Sequence, residues 1–302
     1  MENNIIVGYQ KTLKGLIADA NTIDDMMIMA VYYTGRNLFK KTPLAKALEP
    51  LVYHMYHYTL DDYMYKLVQE MLPHVSYDTY YRGFVNGEWD PSYEVESIME
   101  YCKDRPDFQQ DVLEWYWVTK TIEALDFPIP LTEASRFFLR ARELNKENND
   151  FEGTPTFKVS KLALLHLWIG RERTDEETRA KWAMHIAILS IIGQKPYAST
   201  TSDTIKLRMF GFKNKHELVL ALKDEKTKEL YEKWTSRRRY DRMLSQLQVE
   251  GYIREFGERR RTFLTTKLTL EELVQKVASS SKKKQKEDLR DKKAQLRAKY
   301  MK

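Results

Sequence analysis

Between Ser236 and Lys267 the chain reads SRRRYDRMLSQLQVEGYIREFGERRRTFLTTK, and no other stretch limits the fold as tightly. Tyr240, Leu244 and Leu247 fall at helical spacing, so they share one face of a helix. Gly251 can take the left-handed backbone that ends a helix. Beyond it, Tyr252 to Phe256 predicts a strand with Ile253 apolar, Gly257-Glu258 a turn, and Arg259 to Thr265 the returning strand. Helix, tight turn and β-hairpin are therefore expected in that order.

Charge follows the same end of the chain. The 302 residues carry a net charge of +6. Ser236–Lys267 holds nine Lys/Arg against four acids, and the stretch from Ala278 onward holds ten against three, so everything else is −6. A basic end on a mildly acidic protein is the footprint of a polyanion-binding surface. The competing reading is a solvated charged surface. With 42% hydrophobic and 31% charged residues, the composition is that of a soluble protein long enough for two domains. The longest apolar runs, Met26–Tyr33 and His185–Ile192, fall short of the ~20 residues a membrane helix needs. The start, MENNIIVGYQK, lacks the pattern of a signal peptide. One cysteine, Cys102, allows no internal disulfide. These features point to the cytoplasm, with a nucleoid or nuclear setting for a DNA-bound protein, and away from a membrane.

Residues 1–145 predict a helical domain for recruiting a partner or for self-association. Thr42-Pro43 marks a helix start, continued by Leu44, Leu48, Leu51, Val52, Met55 and Tyr56. Thr59 is placed as the cap of the next helix, with Asp61 and Asp62 in its first turn and Pro73 ending it. Asn86-Gly87 and Asp90-Pro91 mark a turn. Helices are expected at 92–103, 107–125 and 131–144. The Tyr and Trp residues of this region, among them Tyr53, Tyr56, Tyr58, Tyr63, Trp115 and Trp117, suit a core or protein interface better than base stacking. Asn145–Lys158 is polar, with Gly153 and Pro155, and is the expected domain boundary. A helix is expected from Val159 to Ile169. Thr174-x-x-Glu177, Asn214-x-x-Glu217 and Thr269-x-x-Glu272 read as capping boxes, the last with Leu268 and Leu273 as a hydrophobic staple. Ser202 or Asp203 opens a short helix ending at Gly211, and Thr227–Trp234 predicts another. From Ser279 the composition is that of a basic tail.

The order of a helix near 175–192, a recognition helix at 236–250, a hairpin at 252–266 and a closing helix at 270–278 resembles the winged-helix family of DNA-binding domains. The resemblance covers about a third of the chain. It departs from the family in the length of Gln194–Trp234, which leaves the positioning helix unassigned. It implies a mainly α fold: a helical domain (1–145), a winged-helix domain with one hairpin (157–278) and a basic tail (279–302). In that family the third helix enters the major groove and the wing lies along the backbone or minor groove. Carried onto this chain, Arg238, Arg242 and Ser245 face outward, flanked by Arg239 and Gln246, to read bases. Arg254, Arg259, Arg260 and Arg261 lie on the wing, and with Lys267 and the tail residues Lys282, Lys283 and Lys284 they would hold phosphates.

No phosphate-binding loop or dinucleotide fingerprint is present. His54, His57 and Asp61 stand at helical spacing and could offer metal ligands for a nuclease, but their surroundings of Tyr and Met read as packing. Asp24-Asp25 and Asp61-Asp62 suit helix first turns rather than Mg²⁺. The expectation is a non-enzymatic, cofactor-free protein that binds double-stranded DNA, acting in transcription regulation or in replication and maintenance of a phage, plasmid or other mobile element. The alternatives are an adaptor subunit that uses the same module as a protein contact and, third, the metal-dependent nuclease.

Overall fold

A computed structural model of the chain describes residues 4–9, 12–72, 92–147, 156–258 and 261–280. It is mainly helical, with a three-stranded antiparallel sheet and a separate two-stranded one among the described residues. The chain divides into two compact units, 1–9 with 19–174, and 10–18 with 175–302. The sequence placed the division at 145–158 and kept residues 10–18 in the N-terminal part. The expected turns at Asn86-Gly87 and Asp90-Pro91 lie outside the described residues, as do most of the 145–158 stretch and the tail beyond 280.

In the first unit, strand β1 (Asn4–Tyr9) pairs antiparallel with β2 (Thr156–Ser160). The sequence reading had no strand at either place and ran a helix from Val159; the helix starts two residues later. At the centre is α2 (Thr22–Phe39), buried from Met26 through Tyr33 without a break. A helix apolar all round has to be enclosed on every side. It packs against β1, α6 (Pro106–Ala124), α7 (Ala134–Glu147) and α8 (Lys161–Ile169). Gly35 makes one of these contacts possible. A Cβ there would fall on the Trp117 carbonyl oxygen and within 2.7 Å of Thr121 Oγ1. Helices α3 (Leu44–Tyr56), α4 (Asp62–Met71) and α5 (Ser92–Cys102) complete the unit, and Cys102 is buried.

Two expected helix starts shift here. Pro43 is the extended cap of α3 rather than a first-turn residue. Asp61, not Thr59, caps α4: its carboxylate accepts from Met64 N at 2.9 Å, while Thr59 Oγ1 donates to the His54 carbonyl. A carboxylate meets the positive helix start better than a hydroxyl does. Tyr58 takes a left-handed backbone, φ 54°, where the turn after α3 would suit glycine.

The second unit is built on α9 (Glu176–Ile192). Helix α1 (Thr12–Ala18) packs on it, with Leu13, Leu16 and Ile17 fully buried and Arg179 Nη2 donating to the Ile17 carbonyl at 3.3 Å. Those contacts tie residues 10–18 to this unit. Asp175, rather than Thr174, caps α9, accepting from Thr178 N at 2.8 Å. Thr174 Oγ1 turns back to the Gly170 carbonyl. After β3 (Ala198–Thr200), a strand the sequence reading missed, come α10 (Ser202–Met209), α11 (Lys215–Ala221), α12 (Glu225–Thr235) and α13 (Arg237–Val249). Thr201, Asn214 and Asp224 cap α10, α11 and α12 through side-chain oxygens. Ser236 alone separates α12 from α13.

Strands β4 (Arg254–Glu258) and β5 (Arg261–Thr265) form the expected hairpin, with Gly257-Glu258, read from the sequence as its turn, inside β4. Gly257 is inside β4, paired with Thr262, and Glu258 pairs with Arg261. β3 pairs with β5, giving the order β3-β5-β4. Helix α14, described over 270–280, opens with a reciprocal capping box. Glu272 N donates to Thr269 Oγ1, and Thr269 N donates to Glu272 Oε2. Leu273 and Val277 bury its inner face, whereas Leu270 is half exposed.

Candidate nucleic-acid interface

Helix α13 owes its orientation to four side chains. Tyr240, Met243, Leu244 and Leu247 are buried, each worth about 1.5–3 kcal/mol on leaving water. Gly251, at φ 78°, ends the helix in the left-handed turn expected of it, and Tyr252 N returns to the Leu247 carbonyl at 3.0 Å. The opposite face is polar and open. Arg238, Arg239, Arg242 and Ser245 are exposed, and Gln246 is half-buried. The sequence reading did not single out Met243 as core, nor Val249, which is 89% exposed in the last helical turn.

The arginines of this face differ in how they are held. Arg242 Nη2 pairs with Glu177 Oε1 in the first turn of α9. Arg239 lies over the Trp234 ring, 5.3 Å from its centroid, and Nη1 donates to the Lys233 carbonyl at 3.3 Å. Arg238 has no ion-pair partner among the described residues. Neighbouring acids are engaged as well. Glu250 accepts from Lys181 Nζ at 2.6 Å, and Glu176 accepts from Lys233 at 2.8 Å and Trp234 Nε1 at 2.5 Å. Glu255 accepts from Gln248 at 2.6 Å, and burial pushes its carboxyl up. The pairings of Arg242, Lys181, Lys233 and Trp234 carry no sequence signal, because each joins residues more than fifty positions apart.

On the sheet, Arg254 and Arg261 are exposed and Phe256 and Phe263 stand opposite each other, ring centroids 6.4 Å apart. Strand alternation puts Arg254, Phe256, Arg261 and Phe263 on one face and Glu255 and buried Leu264 on the other. Lys267 is exposed just beyond β5. Arg259, Arg260, Lys282, Lys283 and Lys284 lie outside the described residues. Between α9 and the end of α13 sits an aromatic group: the His185 ring lies 5.5 Å from Trp182 and 5.1 Å from Tyr252. Burial, with a smaller push from Lys181, lowers the His185 pKa to about 4.

The first unit holds a buried charge network that no sequence motif announced. Arg142 lies 2.6 Å from Asp111 and 2.7 Å from Glu114. Tyr32 donates to Glu114 at 3.0 Å and Tyr63 to Asp111 at 2.5 Å. Burial and the neighbouring Asp111 push the Tyr63 hydroxyl up to about 12. A cleft of about 580 Å³ at the start of α2 is lined by Asp24, Asp25, Arg136, Arg140 and Glu143. Its charges are paired inward, Arg140 with Asp25 at 3.0 Å and Asp24 with Arg171 at 3.1 Å. The His54, His57 and Asp61 side chains serve local structure: His54 Nδ1 meets Thr59 Oγ1 at 2.6 Å, His57 Nδ1 meets the Tyr53 carbonyl at 2.8 Å, and Asp61 holds Ser135 as well as Met64. Among the described residues no three His, Cys, Asp or Glu side chains converge on a metal position. The N-terminal aromatics split, with Trp115 and Trp117 buried and Tyr53 and Tyr58 exposed. No described helix is long and apolar enough to cross a membrane. No family model, curated protein or solved structure matches the chain.

Proposed function

We propose that the second unit is a winged-helix module that binds double-stranded DNA, with α13 in the major groove and the β4–β5 hairpin along the phosphate backbone. One observation carries this reading. Four buried side chains lock α13 so that Arg238, Arg242 and Ser245 stand together on its outward face. The element order supports it too, since a hairpin bearing Arg254 and Arg261 and a closing helix follow α13. Strand β3 anchors the hairpin, and a fixed wing loses less entropy on meeting DNA than a loose one. Between α10 and α13 the chain inserts α11, which buries none of its side chains, and α12, which leads straight into α13. Such a contact acts in transcription regulation or in replication and maintenance of a phage, plasmid or other mobile element, without catalysis by this chain. The basic tail adds phosphate contacts, and the first unit recruits a partner or a second copy.

The test is binding of the full chain to random and selected duplexes across a salt series. The reading expects log K to fall linearly with log salt, with an enriched sequence standing above the random pool. The adaptor reading takes its support from Val219 and Leu220 on α11, 61% and 49% exposed. Absence of DNA binding at low salt would favour it.

A further inference from the structure

Val249 is the most exposed of the chain's large hydrophobic side chains among the described residues. Its place on α13 gives that exposure a direction. At 100° per residue, Arg238, Arg242, Ser245 and Val249 fall within an arc of about 60°, and the buried Tyr240, Met243, Leu244 and Leu247 lie opposite. Val249 therefore closes the same outward stripe that the arginines open, about 16 Å further along the helix axis. Its surroundings suit a polyanion. Glu250 beside it is neutralised by Lys181, at 2.6 and 2.9 Å, and the Gln248 amide is turned away to Glu255. In the major groove the one apolar group a base pair presents is the C5 methyl of thymine.

We propose that Val249 is a specificity-determining residue that packs on the C5 methyl group of a pyrimidine, thymine or its equivalent 5-methylcytosine. The inference rests on the DNA-binding reading above and adds to it a base preference. At about 3.4 Å per base pair, the 16 Å separation sets the methyl no more than about five steps from the base read by Arg238. A buried methyl is worth about 0.8 kcal/mol, or about fourfold in affinity.

The test uses the full chain and the duplex enriched from random oligonucleotides, with each thymine replaced singly by deoxyuridine, which lacks only that methyl. The parent protein is expected to lose about fourfold in affinity at one position. Val249→Ser is expected to bind the thymine and deoxyuridine duplexes equally there, and Val249→Ile to keep the parent's discrimination. Thermal melting of each variant checks that the fold is intact. Identical deoxyuridine profiles for the parent and Val249→Ser overturn the proposal, as does a parent profile with no sensitive position. If the protein binds every duplex alike with a steep salt slope, this inference falls and what stands of the DNA-binding reading is phosphate contact alone. If it binds no duplex, both fall.

Discussion

Arg242, on the outward face of α13, is held by Glu177 in the first turn of α9. The pair is largely solvated, the two side chains being 59% and 35% exposed. Such pairs are worth at most about 1 kcal/mol, so phosphate or guanine can compete for the guanidinium. Glu177→Gln frees Arg242 and removes a negative charge from the proposed interface. Duplex affinity is expected to rise about two- to fivefold at moderate salt, read by fluorescence anisotropy. Unchanged or weaker binding would mean that the pair orients Arg242 for its contact rather than restraining it.

Arg238 and the hairpin arginines should separate in their effects. On the proposed DNA-binding reading, Arg238→Ala is expected to cost about 1–3 kcal/mol on an enriched site and much less on random DNA, because it removes the bidentate base contact proposed for it. Replacing Arg254 and Arg261 together should weaken both kinds of DNA to a similar degree and flatten the salt dependence, since phosphates carry no sequence information. Equal losses on every sequence from both variants would show a protein that reads charge alone.

His185 makes the second unit sensitive to acid. Its ring is buried and Nδ1 has no hydrogen-bond partner among the described residues. An unfolded histidine titrates near 6.5, and this one is lowered to about 4. The unfolded chain therefore binds the extra proton first, so the stability linked to His185 is intact above about pH 6.5 and is lost as pH falls towards 4. The full span amounts to about 3 kcal/mol. In urea unfolding followed from pH 7 to 4.5, His185→Leu should show a shallower acid decline than the parent. Parallel declines would remove His185 as the cause.

In the first unit, Arg142 neutralises Asp111 and Glu114, whose side chains are only 9% and 4% exposed. Removing the cation from a buried group of this kind costs about 3–5 kcal/mol. Arg142→Leu is expected to lower the unit's melting temperature by several degrees, and adding Glu114→Gln to recover part of the loss. No recovery would show that the Arg142 guanidinium over the Phe138 ring, rather than its pairing with Glu114, holds the site.

The sequence by itself determined the local features whose causes lie within a few residues. Spacing fixed the buried face of α13, Gly251 fixed its end, and Thr269 with Glu272 fixed the start of α14. The outward face bearing Arg238, Arg242 and Ser245 was legible for the same reason, because one helix turns its faces apart by a constant angle. What only the tertiary structure decided depends on distant partners. Ala198–Thr200 is a strand because β5 lies beside it. Residues 10–18 join the second unit because α9 buries Leu13, Leu16 and Ile17. Asp175 displaces Thr174 as a cap, which leaves Glu176 and Glu177 to hold Trp234 and Arg242 from a separate helix. Backbone pairing and ion pairs between helices are set by three-dimensional proximity, and a one-dimensional pattern holds no record of which residues will meet.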